Sequence, residues 1–580
     1  MTKKAKSFNY KALLWLGIVV LVFAAMAGIT YGVRMGVYHE TAGAATKYFV
    51  DKVLISNFLG SVTILIGVVV FAGYLILGRG FSDAFLGMIK AMIGVIMLKI
   101  GAAVLVGMAK PVFTGISKLG ADVTPLDPYF VWNDSAKWLR ELNAGYEAWI
   151  SYALLIGFAI NLLMVVFRRW TNMHAVMLTG HVMFQQAAVV VPVVFFTMFF
   201  TNDAQGNAGV AAGQFYASTS HIIGTIIISG IILGLYWSVG TSATIKGSDA
   251  VTDKAGFCVG HQQMLGLSIA YGIGKFFGKK EDSAETKKIS NKIKIFEDNI
   301  FTQTMLIFIL FLILILILQF ASKDPNWKFA DPNGNVTGTN FGAWKVDAQN
   351  WVINIFLGSL KIVASILVLQ AGVRMFVTEL QQSFQGITEK VAPGAVIAVD
   401  VAATYGFAIN SVTYGFAAGT IAQFIAVGIV IGISRAVPHF PIVIPLFITL
   451  FFNSGSMGVF ANASGGYKAS IIVPAIFGFC EIFVIASGLY ALNHMYNGLP
   501  DATKAFSLPF KGGFLGMFDW NLFFGAAMWA SFSPVASGIV YAGVIPVALI
   551  ILSQLLDTNR QEKPTLLQKV FRIKPQLITE

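Results

Sequence analysis

The chain has 580 residues, of which 56% are apolar and only 12% carry a charged side chain, whereas ordinary soluble domains carry roughly 25% charged residues. Its mean hydropathy of +0.73, with 58 glycines and 49 phenylalanines, is typical of long lipid-facing helices that pack closely through small residues. This composition excludes a soluble enzyme and predicts an all-α polytopic membrane protein.

The charge and the cysteines exclude further classes. A formal net charge of +12 is also typical of nucleic-acid-binding proteins, but the basic residues gather in loops beside apolar runs, where Lys and Arg record membrane orientation. We therefore expect membrane lipid, and no nucleic acid, as a partner. The two cysteines, Cys258 and Cys480, lie inside apolar segments, and no His/Cys cluster has metal-ligand spacing. The sequence thus predicts no disulfide framework, no metal site and no cofactor.

About fourteen apolar runs approach the roughly 20 residues that a helix needs to cross a bilayer. In chain order they lie near 12–33, 53–77, 84–109, 148–167, 175–200, 217–239, 255–277, 304–320, 353–375, 391–416, 417–433, 440–460, 469–495 and 522–556. Two of them, the Gly-His-Gln-Gln-containing run 255–277 and the Pro-Gly-containing run 391–416, are predicted to be re-entrant hairpins. Non-helical backbone at membrane depth is tolerated only where protein or a water-filled cavity covers it. Twelve crossings remain.

Loop charges predict the orientation. Four lysines precede the first apolar run, which places the N-terminus in the cytoplasm. Alternation then puts the basic segment 278–298 and the basic C-terminal tail in the cytoplasm, and the outer loop 201–216 contains no Lys or Arg. Outer loop 110–147 holds four basic residues and fits less well. If 12–33 is a cleaved signal peptide, one crossing is lost, but its length and the lack of a small-x-small cleavage site favour retention.

Polar side chains inside these runs are candidate site residues, because a charged group at mid-bilayer costs at least ~2.5 kcal/mol. Four clusters qualify: residues 177–186, 251–263, 372–400 and 451–466. Each of the first two clusters carries a His beside paired Gln residues. A single His-Gln pair often only bonds a neighbouring helix, but two such clusters make that reading less favoured.

The third cluster contains the strongest single candidate. Asp400 lies between a Pro-Gly pair and Tyr405, with no obvious cation nearby in the sequence. Arg374 and Glu379, at the end of an apolar run, are interpreted instead as an interfacial ion pair. Together the clusters offer amides, imidazoles, a carboxylate and tyrosines, which suit a ligand with many hydroxyls. The sequence predicts a sugar or sugar-like acid as ligand, and the lack of a Walker motif argues against ATP hydrolysis.

Several long strings make the chain recognisable. MLTGHVMFQQAA, VTDKAGFCVGHQQML, GVRMFVTELQQSFQGI, PGAVIAVDVAATYGFAINSVTYGF and GVFANASGGYKA closely resemble the membrane component, enzyme IIC, of the ascorbate-type phosphoenolpyruvate-dependent sugar phosphotransferase system. The resemblance runs from about Leu59 to about Leu556 in the same motif order.

The resemblance implies an elevator-type homodimer. In this family each subunit has eleven transmembrane helices, a substrate-holding core domain, a dimerisation domain and re-entrant hairpins. Eleven helices plus one extra N-terminal helix equal the twelve crossings expected from the apolar runs. The implied organisation is an N-terminal helix and linker at 1–52, a permease domain at 53–556 and a basic cytoplasmic tail at 557–580.

The resemblance also implies the function. The permease would bind L-ascorbate outside the cell and present it inward across the plasma membrane, with both termini in the cytoplasm. A cytoplasmic enzyme IIB, supplied by enzyme IIA, would then transfer a phosphoryl group to give ascorbate 6-phosphate. On this reading the membrane chain itself carries no catalytic residue, no cofactor and no metal.

The matched substrate-binding positions are His181, Gln185, His261, Gln262, Asp400, Tyr129 and Gly101. The sequence departs from the family pattern at Lys99, Ala102 and Ile409, where the family usually has Gln, Ser and Pro. Two other classes remain open. A proton- or sodium-coupled secondary transporter of a related polyol or sugar acid would use Asp400 as its titrating group, and a membrane scaffold subunit would need no ligand site.

Overall fold

The computed structural model describes residues 21, 24–49, 52–53, 61–120, 122–205, 215–287, 298–336, 339–346, 350–499, 506 and 508–577. Eleven of the 22 residues of the predicted first run, 12–33, lie outside the described residues. The same holds for Lys288, Lys292 and Lys294 of the predicted basic loop.

Helices make up most of the described chain. The α-helices in order are α1 (Ala42–Tyr48), α2 (Val62–Ile76), α3 (Phe81–Lys118), α4 (Pro128–Leu142), α5 (Ala148–Val166), α6 (Arg168–Thr171), α7 (Gly180–Phe195), α8 (Thr201–Gln205), α9 (Thr219–Thr252), α10 (Met264–Gly274), α11 (Asn299–Ala321), α12 (Trp351–Val391), α13 (Ala402–Tyr405), α14 (Ile409–Ala436), α15 (Phe447–Asn497), α16 (Phe518–Ala530), α17 (Pro534–Gly538), α18 (Ile545–Leu555) and α19 (Leu566–Val570). Short π-helical segments cover Gly32–Val37, Phe196–Phe200 and Ile539–Val544, and 3₁₀ turns cover Ala284–Thr286, Pro325–Trp327 and Thr339–Trp344.

The helices confirm the membrane class. Within the described residues, nine helices are long and apolar enough to cross a membrane, so the protein is a multi-pass membrane protein. The longest, α15, has 51 residues, about 75 Å if straight, which far exceeds the ~30 Å hydrocarbon core. Gly466, with φ +69° and ψ −161°, breaks it.

Gly466 is required at this break. A Cβ atom there would lie 2.1 Å from the carbonyl oxygen of Lys279 and 2.5 Å from that of Asp282. The positive φ also disfavours any residue with a side chain. The two halves of α15 are therefore separated by a position that only glycine fills without strain.

Two predicted boundaries were wrong. The expected division between runs 391–416 and 417–433 does not exist, because α14 continues from Ile409 to Ala436. The run expected at 522–556 is two units, since α16 ends at Ala530 and α17 begins at Pro534. Hydropathy alone gave no signal between α16 and α17, because the connecting residues are themselves small or apolar.

Five short parallel strands, which the all-α expectation did not include, lie among the helices. Strand β1 (Val123–Leu126) pairs with β5 (Ile442–Pro445), and a three-stranded sheet has the order β2 (Ala175–Met177), β4 (Val396–Val399), β3 (Phe257–Val259). These strands have three or four residues and are mostly buried on every side. They lack the period-2 alternation that reveals a strand in sequence.

Side chains complete the hydrogen bonding of the three-stranded sheet at its edges. On β2, Asn161 of α5 accepts from Met177 N at 2.9 Å and donates to Ala175 O at 3.3 Å. On β3, the Thr244 hydroxyl donates to Val259 O at 2.9 Å and accepts from Val259 N at 3.1 Å. Buried backbone groups without water need such partners. The two side chains thus make a sheet possible inside the helical body.

The helices pack into two groups. We define the first helix group as α2, α3, α11 and α12, and the second helix group as α5, α7, α9, α10, α14, α15, α16 and α18 with the strands. In an 18-residue apolar stretch of segment 180–204, which contains α7, 94% of the residues are buried, whereas in such a stretch of segment 300–321, within α11, the share is 33%. Helix α7 therefore lies at the centre of the second group, and α11 presents an apolar face outward.

Candidate functional site

The three-stranded sheet brings three distant polar clusters together. Its strands are parallel, and Met177 of β2 and Cys258 of β3 both pair with Ala398 of β4. The carboxyl ends of parallel strands meet at one edge. Two candidates follow their strands at that edge: His261 two residues after β3, and Asp400 directly after β4.

His181 reaches the same place from the start of α7. The chain leaves β2 with Leu178 N donating to Ala398 O at 3.1 Å. Helix α7 then begins at Gly180, where a Cβ atom would lie 2.5 Å from a methyl carbon of Leu380. The glycine lets α7 approach α12 closely, and it places His181 in the first turn.

These residues border a cavity of about 490 Å³. The two-stranded sheet also contributes to its lining, because Tyr129 follows β1 and Ile448 follows β5. The lining residues are Pro128, Tyr129, His181, Val182, Gln185, His261, Gln262, Arg374, Thr378, Gln381, Asp400, Ala402, Tyr405, Ile448, Phe451, Phe452 and Met517. The cavity lies between the two helix groups, since Arg374, Thr378 and Gln381 belong to α12.

His181 and Asp400 lie within hydrogen-bonding distance of each other inside the cavity. The distance from His181 Nε2 to Asp400 Oδ2 is 2.9 Å, and Asp400 Oδ1 accepts from Ala402 N at 2.9 Å. No partner of Asp400 was evident from the sequence, so this pairing was missed. When a neutral imidazole donates from Nε2, its Nδ1 is left as an acceptor. With a neutral imidazole, the contact with Asp400 therefore makes Nε2 the donor and Nδ1 the acceptor of His181.

The paired glutamines divide into two kinds. In each pair the first residue borders the cavity, and Gln262 Nε2 donates to Gln185 Oε1 at 2.6 Å. The second residue of each pair, Gln186 or Gln263, is fully buried. Each supports the fold through hydrogen bonds and does not border the cavity.

The two braces have different partners. The amide of Gln186 accepts from Trp237 Nε1 at 2.6 Å and donates to His261 O at 3.2 Å. The amide of Gln263 donates to Asn453 O and to Ser456 Oγ, both at 2.9 Å. Both therefore tie the strand-end loops to neighbouring helices.

Several buried polar atoms of the cavity residues have no hydrogen-bond partner among the described residues. They are His181 Nδ1, His261 Nδ1, Gln262 Oε1 and the Tyr405 hydroxyl. Buried polar groups in folded proteins are nearly always paired. Four such groups at one cavity could form hydrogen bonds with a ligand that carries several hydroxyls.

Six of the seven residues proposed from the sequence line this cavity, and the seventh does not. Tyr129 is held at the start of α4, where Asp127 accepts from Tyr129 N at 2.8 Å. Gly101 is buried within α3 and is not among the lining residues. Lys99, one of the departures from the family pattern, is exposed on the same helix.

Sequence reasoning missed a group of lining residues on α12. Arg374, Thr378 and Gln381 follow one another at i, i+4 and i+7, which puts them on one helical face. That spacing was the available signal. The proposed Arg374–Glu379 ion pair was wrong, because Glu379 accepts from the Tyr74 hydroxyl and lies 3.7 Å from Lys90 Nζ.

The fourth polar cluster supports the fold. The Asn453 amide donates to buried Glu481 of the same helix, and Asn462 Oδ1 accepts from Ala284 N at 2.8 Å. Neither asparagine borders the cavity. Cys258 is fully buried and Cys480 is exposed, and neither forms a disulfide.

Comparison with known proteins identifies the family of this chain. Residues 57–518 match the sequence model of a family described as the sugar-specific permease component of the phosphotransferase system. The chain is also 41% identical, over 650 aligned positions, to a Mycoplasma pneumoniae protein named ascorbate-specific phosphotransferase system EIIC component. That alignment covers 98% of this chain and 96% of the relative. The chain therefore belongs to the family of sugar-specific permease components of the phosphotransferase system.

Proposed function

We propose that this permease carries L-ascorbate. The observation that carries the choice of substrate is the 41% identity, over nearly the whole chain, to a relative named for ascorbate. The cavity between the two helix groups supports it, because its unpaired imidazole, amide and hydroxyl groups suit a compact ligand with several hydroxyls.

The binding roles follow from the hydrogen-bond inventory. His181 Nδ1, left as an acceptor by the contact of Nε2 with Asp400, accepts a hydrogen bond from a substrate hydroxyl. Gln262 Oε1 and the Tyr405 hydroxyl lie unpaired at the same cavity. Asp400, whose side chain is 30% exposed, keeps lone pairs for a second hydroxyl while it orients His181. His261, Gln185 and Tyr129 complete the polar lining.

Transport is proposed to be of the elevator type. The second helix group carries the two imidazoles and Asp400, and it would move as the core domain. The first helix group would remain fixed and form the dimerisation domain of a homodimer. A cavity bounded by both groups supports this division, because relative movement of the groups changes which side of the membrane the cavity faces.

The proposed topology has twelve crossings. Counting broken α15 as two crossings, and adding α2 and the predicted first helix, brings the nine candidate spans to that number. The segments β3–α10 and β4–α13 would be the two re-entrant hairpins. Both termini would lie in the cytoplasm, with residues 1–52 as an N-terminal addition, 53–556 as the permease domain and 557–580 as the tail.

The phosphoryl transfer is assigned to a partner. An enzyme IIB, phosphorylated by enzyme IIA, would phosphorylate ascorbate presented at the cytoplasmic side. A phosphate adds up to about two negative charges, which prevents return through an apolar route. Accumulation would then need no ion gradient, in contrast to a proton- or sodium-coupled transporter.

Uptake into sealed vesicles tests this function. Vesicles containing the full chain are supplied with radiolabelled L-ascorbate, with and without internal phosphorylated enzyme IIB, and the internal product is identified by chromatography. The expected result is accumulation only with the phosphorylated partner, entirely as a phosphate ester. Free ascorbate concentrated inside under a proton or sodium gradient alone would establish the secondary-transporter alternative.

A further inference from the structure

The cavity has one cationic side chain, and it comes from the helix group opposite the imidazoles. Among the described lining residues, Arg374 is the only Lys or Arg. It lies on α12, whose packing partners include α2, α3 and α11, and its side chain is exposed. The Thr378 hydroxyl donates to the backbone carbonyl oxygen of Arg374 at 2.7 Å. This contact does not involve the guanidinium group of Arg374.

Two other cations near the ends of helices have acidic partners. Arg560 lies 3.0 Å from Asp249, and Lys246 lies 2.7 Å from Asp557. No ion pair of Arg374 occurs in the part of the chain that the structure describes. A guanidinium that borders a cavity without a carboxylate partner is available for an anionic ligand.

Asp400 makes such a cation necessary for an anionic ligand. Asp400 borders the same cavity, and two negative charges in a cavity with apolar walls repel each other strongly because the effective dielectric is low. His181 offsets the carboxylate only by a hydrogen bond when its imidazole is neutral. A monoanionic sugar acid therefore needs a further positive charge at this cavity, whereas a neutral sugar does not.

We propose that Arg374 is the charge-selecting residue of this permease, which makes the cavity prefer a monoanionic sugar acid over a neutral sugar or lactone of the same shape. This inference rests on the proposed function, since it concerns the same cavity. It adds the ligand's charge as a recognised feature. Because Arg374 belongs to the first helix group, its contact with the ligand depends on the relative position of the two groups.

Paired titrations of the purified full-length protein test the inference. L-Ascorbate, a monoanion at neutral pH, and L-galactono-1,4-lactone, a neutral lactone with the same carbon skeleton, are titrated separately by calorimetry. The unsubstituted protein is expected to bind ascorbate more tightly than the lactone. Arg374→Gln is expected to weaken ascorbate binding about tenfold or more, in line with loss of a charge-assisted contact, and to leave lactone binding within about twofold.

Two further variants control the experiment. Arg374→Lys keeps the charge and should restore part of the ascorbate affinity. Lys361→Gln removes a cation from the same helix, where Lys361 Nζ donates to Ala343 O at 3.4 Å away from the cavity, and should change neither ligand's affinity. Retained lactone binding by Arg374→Gln also shows that the cavity is intact.

The contrary outcomes are distinct. Equal affinity of the unsubstituted protein for the two ligands, equal weakening of both by Arg374→Gln, or unchanged ascorbate binding by that variant would each overturn the charge-selecting role. Unchanged binding with lost phosphorylation would assign Arg374 to the phosphoryl-transfer step instead. No binding of ascorbate by the unsubstituted protein would overturn the proposed function itself.

Discussion

The two small sheets meet at one cavity but deliver different chemistry to it. The three-stranded sheet ends in polar loops that carry His181, His261 and Asp400, whereas the two-stranded sheet is followed by Tyr129 and Ile448. The first supplies most of the hydrogen-bonding groups and the second mostly supplies a wall. In both sheets a short strand is followed by a helix. The few residues that directly follow the strand determine whether this arrangement contributes polar recognition groups or apolar surface to the cavity.

The largest effect is expected from the imidazole that Asp400 orients. His181→Ala removes the cavity acceptor and leaves Asp400 without its 2.9 Å partner. We expect ascorbate affinity to fall by about 2–3 kcal/mol, about 30- to 150-fold, while the protein still elutes as a folded species. Calorimetric titration measures the change. Affinity unchanged in both His181→Ala and His261→Ala would return the imidazoles to a purely structural role.

Asp400→Asn should have the next largest effect. The amide preserves the size of the carboxylate but replaces one acceptor with a donor, and it no longer favours a proton on His181 Nε2. The expected loss of ascorbate affinity is about tenfold. A melting curve of the same variant is the control. Native affinity together with a lowered melting temperature would show that Asp400 only braces the loop.

Two neighbouring glutamines separate recognition from support. Gln262→Leu removes an amide at the cavity and should weaken ascorbate binding about fivefold, from the loss of roughly 1 kcal/mol. Gln263→Leu removes the bonds to Asn453 O and Ser456 Oγ, both 2.9 Å long, and should mainly lower the melting temperature. Titration with ascorbate and thermal melting of both variants distinguish a role in recognition from a role in supporting the fold. The reverse pattern would contradict the division between cavity-facing and bracing glutamines.

The smallest effect is expected on the wall that the two-stranded sheet provides. Ile448→Ala shortens an apolar side chain at the cavity. A hydroxyl-rich ligand has little apolar surface to lose, so ascorbate affinity should change on the order of twofold or less. Titration of Ile448→Ala and of His181→Ala with ascorbate compares the two losses of affinity. A loss as large as that of His181→Ala would show that the two sheets contribute equally to recognition.

The sequence predicted the polar end of the cavity well. His181, Gln185, His261, Gln262 and Asp400 all line one cavity. They were identifiable because polar groups inside apolar runs are costly and thus informative, and because the surrounding strings resemble a known family. Their roles in binding stay predictions until ligand titrations are made.

The strands that assemble the cavity were not predictable from pattern. Three- or four-residue apolar strands buried on most sides have the same hydropathy as the helices around them. The bracing role of Gln186 and the pairing of His181 with Asp400 depend on contacts between segments far apart in the chain. Arg374 was misplaced because a cation at the end of an apolar run usually lies at the membrane interface.

The most direct test of the proposed binding site is a structure of the full chain bound to L-ascorbate in lipid nanodiscs. A second cavity of about 520 Å³, lined by Lys110, Asp134, Lys511 and neighbouring residues, offers the ligand an alternative place. We expect ligand density between the helix groups, within hydrogen-bonding distance of His181 Nδ1 and Gln262 Oε1. Density confined to the second cavity, with the His181 cavity unoccupied, would contradict it.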